Sequence, residues 1–166
     1  GSIKIPLEYD YIDFLRNPRF FKVCKGNLVI NDWENVESDY RLNVSGDAKW
    51  GIVDAENNII VTLEYDWIDE VESTIWVVYK GGQVYYNDDY QEDYWTIKGG
   101  KLGVYNGQQL ITPVEYASID KNWFRVKDYI FVRKEDQPEE YDVYTFDGQK
   151  LETNKPNPRN HIYYGG

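Results

Sequence analysis

The chain is poor in the residues that most catalytic chemistry needs. Its 166 residues include one cysteine, Cys24, one histidine, His161, and no methionine. A lone cysteine rules out an intrachain disulfide and gives no sign of an oxidising compartment. Zinc needs several Cys or His ligands, so no metal is expected. A Ser-His-Asp or Cys-His nucleophile would have to use His161, which sits in a tail rich in Pro and Asn. Cys24 lies in a strand-like run and reads as a small apolar core residue. No Gly-rich phosphate loop has the strand-to-helix context it requires, and the acidic runs lack calcium-loop spacing. Basic residues are also scarce. Lys and Arg total 18 against 29 Asp and Glu, a net charge of −11. That balance argues against binding nucleic-acid phosphates or an anionic membrane surface. No window approaches the roughly 20 apolar residues of a membrane span. Neither enzyme activity nor a cofactor is expected. Paired carboxylates for glycoside hydrolysis stay open only because any two of 29 can meet in a fold.

Apolar residues make up 42% and aromatics 17%, with 16 tyrosines and 6 tryptophans. This composition excludes intrinsic disorder. A chain of this length fits one domain and hides roughly 70% of its unfolded surface on folding. Gly1-Ser2 reads as the scar of a cleaved tag, with native sequence starting near Ile3. Residues 3–151 form the expected domain. Residues 152–166 read as an irregular tail, because Asn154 to Asn160 is turn-rich. With no leader visible, a cytoplasmic location is expected.

The chain repeats itself. Ile5-Pro6-Leu7-Glu8-Tyr9-Asp10-Tyr11-Ile12-Asp13 aligns with Val61-Thr62-Leu63-Glu64-Tyr65-Asp66-Trp67-Ile68-Asp69 and with Thr112-Pro113-Val114-Glu115-Tyr116-Ala117-Ser118-Ile119-Asp120. The tyrosines are 56 and 51 residues apart. Each segment leads into a strand-like run, at Phe20–Lys25, Ile75–Lys80 and Tyr129–Lys134. Two are preceded by another, Lys49-Trp50-Gly51-Ile52-Val53-Asp54 and Lys101-Leu102-Gly103-Val104-Tyr105-Asn106, with a weaker copy at Tyr141 to Gly148. The runs are short and rich in β-branched and aromatic residues. Turn signals separate them, of which Asn106-Gly107 is the strongest for a hairpin. Gly51 and Gly103, inside strands, suggest bulges or close backbone approach. The best helical candidate, Tyr9 to Arg16, suits a short turn as well and stops at Pro18. The expected fold is an all-antiparallel β-meander with little or no helix, curled or stacked to bury one face.

Lys49-Trp50-Gly51-Ile52-Val53-Asp54, the turn at Glu56-Asn57-Asn58, Ile59-Ile60 and Glu64-Tyr65-Asp66-Trp67-Ile68 resemble a WG (KWG) β-repeat, a family of short antiparallel β units in bacterial proteins. The resemblance covers about two and a half to three repeats. Leu102 replaces the tryptophan in the next copy, and only the second half of a repeat stands at the start. The units here, at about 52 residues, exceed the family's usual length, so something is inserted in each. The resemblance implies a β fold with a binding or scaffolding role and supplies no catalytic motif.

The insertions are the candidate site. Asn31 to Tyr40 and Asn87 to Trp95 occupy equivalent places, and each holds four carboxylates and no Lys or Arg. Read as loops, they offer Asp32, Trp33, Glu34, Asp39 and Tyr40 from the first, with Asp88, Asp89, Tyr90, Glu92, Asp93, Tyr94 and Trp95 from the second. Equivalent insertions in repeats lie on one side of the molecule. An acidic field speeds encounter with a basic protein, and aromatics supply hot-spot energy. The plainer alternative is solvated loops whose aromatics fold back onto the core. The recurring Glu8, Glu64 and Glu115, and Asp13, Asp69 and Asp120, favour a structural task. The expected function is binding of a basic protein, as an immunity or inhibitor protein that neutralises a toxin, by a monomer or weak homodimer. The other reading is a protein- or carbohydrate-binding module of a larger surface or scaffold protein.

Overall fold

The computed structural model describes residues 5, 8–36, 39–45, 47–89, 92–120, 129–137 and 139–156. None of these is helical. The chain forms three four-stranded antiparallel units in succession, and a fourth sheet grows out of the first two. The first unit contains β1 (Tyr11–Phe14), β2 (Phe20–Lys25), β5 (Lys49–Asp54) and β6 (Ile59–Tyr65), in that spatial order. The second contains β7 (Trp67–Glu72), β8 (Ile75–Lys80), β11 (Lys101–Tyr105) and β12 (Leu110–Tyr116). The third contains β13 (Ser118–Ile119), β14 (Tyr129–Arg133), β15 (Glu140–Thr145) and β16 (Lys150–Pro156). Tyr11 to Phe14, inside the segment with helical spacing, pair residue by residue with β2 instead. Strand β16 runs to Pro156, into the segment expected to be an irregular tail.

The third unit explains the weak copy. Strand β15 occupies the place of β5 and β11, with Tyr141 where Trp50 and Leu102 stand and Asp142 where Gly51 and Gly103 stand. The register shows why glycine yields there. Trp50 faces Tyr65 and Ile52 faces Val61, so residues 62–64 lie across from Gly51 alone. A Cβ on Gly51 would come within 2.5 Å of the Val61 carbonyl oxygen. In the third unit Tyr141 faces Lys155 and Val143 faces Glu152, so only residues 153 and 154 bulge over Asp142. The smaller bulge leaves space for a side chain. Asp142 uses it to accept a hydrogen bond from the Tyr116 hydroxyl at 2.8 Å and to pair with Lys150 at 3.3 Å.

Successive units are joined by their aromatic residues, which form one buried cluster through all three. Trp50 of the first unit meets Trp67 of the second edge to face, with centroids 5.2 Å apart, and Phe20 meets the buried Trp76 at 5.0 Å. Such pairs contribute about 0.5–1.5 kcal/mol each beyond the area they bury. Lys22 is held in this seam. Its ammonium lies 3.8 Å from the Trp67 centroid and 4.9 Å from that of Trp50, and it donates to the Ile68 carbonyl at 3.2 Å. Burial lowers its pKa, and Asp13, 3.9 Å away, opposes that shift. The recurring acids also have structural tasks, mostly through side-chain partners. Glu64 pairs with Lys80 at 3.1 Å and Glu115 with Lys134 at 3.4 Å, each lysine closing or following the next strand but one. Asp69 accepts from the Trp67 indole at 2.8 Å and the Tyr79 hydroxyl at 3.2 Å.

Candidate functional site

The two insertions are hairpins, a correction to their reading as loops. Strands β3 (Val29–Val36) and β4 (Asp39–Ser45) rise from the first unit. Strands β9 (Gln83–Asp89) and β10 (Glu92–Lys98) rise from the second. They pair with each other through β4 and β9, giving a sheet of order β10-β9-β4-β3. The period-two alternation of a strand was present in Trp95-Thr96-Ile97, and β-favouring residues in Val84-Tyr85-Tyr86, beneath the acidic character of the tips.

Each hairpin continues a ladder of its parent unit across a glycine break. Lys80 pairs with Lys101 at the end of β8 and β11, and Gln83 with Lys98 at the start of the hairpin. Between them Gly81, Gly82, Gly99 and Gly100 all adopt positive φ, between 75° and 82°. A Cβ on Gly100 would lie 2.5 Å from the Gly81 oxygen, so the two chains cross too closely for any other residue. The repeated Glu-Tyr-Asp segment secures this break from below. Asp10 accepts from the Gly26 amide and Asp66 from the Gly81 amide, each at 2.7 Å. Lys49 completes an ion pair with Asp66. Among the described residues the third unit has no inserted hairpin between β14 and β15, and Ala117 stands where the aspartates would be.

The register sorts the candidate residues into rows across the sheet. Trp33 faces Leu42, Leu42 faces Tyr86 and Tyr86 faces Trp95, so three aromatics and a leucine share one row over four strands. Next toward the core, Ile30, Val44, Val84 and Ile97 form an aliphatic row on the same face, two residues along β4, β9 and β10 and three along β3, where the register shifts. Val84 is buried and belongs to the main core, with Ile97 packed against it. Toward the tip, on the same face as the aromatic row, Asp88 stands opposite Asp93. The final pair is Asp89 opposite Glu92. The β9–β10 tip thus carries four carboxylate residues in two facing positions of the ladder. In the other hairpin Asn35 faces Tyr40 and Val36 faces Asp39, and Glu34 faces Arg41. Asp32 falls in the register shift between Ile30 and Trp33. Tyr94 faces Asn87 in the intervening row, and Tyr90 lies outside the described residues. Leu42, Tyr86 and Arg41 are members of these rows that were not identified from the sequence. Cys24, buried in β2, has its thiol pKa pushed up to about 11, first by burial, so it is a thiol at neutral pH.

Residues 50–82 match the family model described as WG containing repeat. The chain therefore carries a WG β-repeat, running from Trp50 in β5 to Gly82 beyond β8. The family's unit thus straddles two sheets, taking the last two strands of one and the first two of the next. No curated protein and no solved structure matches the chain.

Proposed function

We propose that this WG-repeat chain acts by binding, and that the sheet built from its two hairpins takes a basic protein. The observation carrying this reading is the row Trp33–Leu42–Tyr86–Trp95 with the opposed carboxylates Asp88 and Asp93 beyond it on the same face. A ladder that places like charges opposite one another weakens itself. A cationic partner would relieve that repulsion, and the aromatic row supplies the apolar contact that holds a complex once formed. The outer strands β3 and β10 flank this face, and neither has a second neighbouring strand among the described residues. The role that suits such a surface is inhibition, with an acidic plug covering the active site of a cationic toxin or nuclease.

The test is capture of partners from host lysate on the immobilised protein, washed at low and at high salt, beside a variant with Asp88, Asp89 and Asp93 changed to Lys. One stoichiometric basic partner, lost at high salt and absent from the variant, supports the reading. Screening reaches about 8 Å at physiological ionic strength, so the surface attraction should be salt-sensitive. A partner that binds the variant equally well places the interface elsewhere.

A further inference from the structure

The turns that join the last two strands of each unit share one construction. In the first unit the Asp54 amide donates to the Asn58 carbonyl at 3.0 Å. Asp54 Oδ1 accepts the amides of Glu56 at 3.0 Å and Asn58 at 2.8 Å. In the second unit the Asn106 amide donates to the Gln109 carbonyl at 3.1 Å. Asn106 Oδ1 accepts the amides of Gln108 and Gln109, each at 3.0 Å. In the third unit Thr145 donates its amide to the Gln149 carbonyl, and its hydroxyl oxygen accepts the Gln149 amide, each at 2.9 Å. An aspartate, an asparagine and a threonine thus perform one task, which needs only a side-chain oxygen.

Asn106 has a second task that uses its nitrogen. Nδ2 donates to the Phe146 carbonyl at 2.7 Å, across the junction between the second and third units. The next residue is Gly107, with φ of 90°. A Cβ there would lie 3.1 Å from the Thr74 Cβ, so the position favours glycine. The asparagine that holds the junction is therefore followed by the residue that shields its own amide nitrogen least.

We propose that Asn106 and Gly107 form a self-modification site, where loss of ammonia turns residue 106 into an acid and loosens the third unit from the second. The Gly107 nitrogen attacks the Asn106 Cγ and forms the C–N bond of a cyclic imide. The Cγ–Nδ2 bond breaks, and the proton lost by Gly107 leaves with Nδ2 as ammonia. Water then opens the imide at either carbonyl, giving aspartate or its isomer, and no oxidant or reductant takes part. The two amides on Oδ1 are donors aimed at the oxygen that gains charge as Cγ is attacked. The Phe146 carbonyl acts the other way, because it anchors the leaving nitrogen. Each opening of the third unit therefore exposes Asn106 to the reaction. The aspartate product keeps the turn, since Asp54 builds the same turn in the first unit. It loses the junction contact, since a carboxylate has no N–H to donate and sets an oxygen against the Phe146 carbonyl. Nothing in the step restores the amide, so the loosening runs one way.

The experiment ages the folded wild type at mildly alkaline pH in heavy-oxygen water and maps the product by peptide mass spectrometry. Native-state hydrogen exchange is then compared for fresh protein, Asn106→Asp and Asn106→Thr. The expected result is heavy oxygen at residue 106 before Asn57 or Asn58, neither of which precedes glycine. Exchange in β14 and β15 should rise about fivefold or more in both variants, with β11 and β12 protected as in the wild type. The threonine variant copies the turn residue of the third unit and gives the readout if aspartate proves disruptive. An Asn106 still intact when Asn57 or Asn58 has reacted, or at the end of the ageing, overturns the proposal. So do variants whose β14 and β15 exchange as in the wild type, or whose β11 and β12 lose protection.

Discussion

The hydroxyls of Tyr116 and Tyr144 lie 2.8 Å apart, joining the last strand of the second unit to the third unit. Tyr65 and Tyr105 make the same contact between the first and second units, at 3.4 Å. The C-terminal junction is tighter because Asp142 also accepts from Tyr116. Tyr116→Phe leaves the buried Asp142 carboxylate short of a donor and should cost about 1.5–3 kcal/mol. Tyr65→Phe, at the longer contact, should cost less. Urea unfolding of the two variants checks the order.

Gly51→Ala should destabilise by about 1–3 kcal/mol, because its Cβ has no room before the Val61 carbonyl. Asp142→Gly, at the equivalent place in the third unit, should fail to stabilise despite restoring the repeat's glycine. It removes the acceptor of Tyr116 and the partner of Lys150. Thermal melting of both variants tests whether the size of the facing bulge decides which residue each position takes.

Trp50→Ala should cost about 3–5 kcal/mol, since it opens the seam where Trp67 and Lys22 pack. A melting temperature equal to the wild type's would remove Trp50 from the core.

Stability should fall as pH rises above about 10. Tyr65, Tyr79 and Tyr116 have pKa values raised from 10.0, first by burial and then by hydrogen bonds or nearby phenol and carboxylate groups. Above that pH the unfolded chain releases protons that the folded chain retains, so the stability these groups contribute below pH 10 is progressively lost. Lys22 acts in the opposite sense, because its folded pKa lies below 10.5 and the unfolded chain holds its proton longer. Its effect ends near pH 10.5, above which the tyrosines alone set the slope. Denaturant unfolding between about pH 8 and pH 11 gives the slope, and phenolate absorbance shows the retained protons directly.

Neutralising Asp88 and Asp93 to Asn should stabilise the hairpin by about 0.2–1 kcal/mol while weakening capture of a basic partner. Opposite signs for stability and binding distinguish a surface kept for recognition from one kept for folding. Equal stability in the variant would show that the pair carries no repulsion.

The repeat was legible because Glu64-Tyr65 and Glu115-Tyr116 recur with similar surroundings, and because Asn106-Gly107 marks its hairpin chemically. The third copy was faint for a physical reason, since a smaller bulge freed Asp142 from the glycine requirement. The hairpins read as loops because carboxylates crowd their tips, while the alternation that marks them lies nearer the core, in Val84, Tyr86, Trp95 and Ile97. The pairing of Arg41 to Val44 with Val84 to Asn87 had no local signal. It depends on how two units place their insertions in space. Lys22 was hidden because a lysine in a strand ordinarily marks a solvated position, and its burial depends on the two tryptophans, the Ile68 carbonyl and Asp13, which the fold brings around it.

The β4–β9 ladder has a consequence for how the molecule opens. It couples the first and second units at a second place, in addition to their aromatic seam, so neither can fray without breaking pairs in the other. The third unit, among the described residues, adds no strand to that sheet. It is joined to the second by side-chain contacts, Tyr116 to Tyr144 and Asp142, Asn106 to the Phe146 carbonyl and Gln109 to the Asp147 carbonyl. Native-state hydrogen exchange should therefore resolve two foldons, with β14 and β15 opening at lower free energy than the block containing β5, β8 and β11.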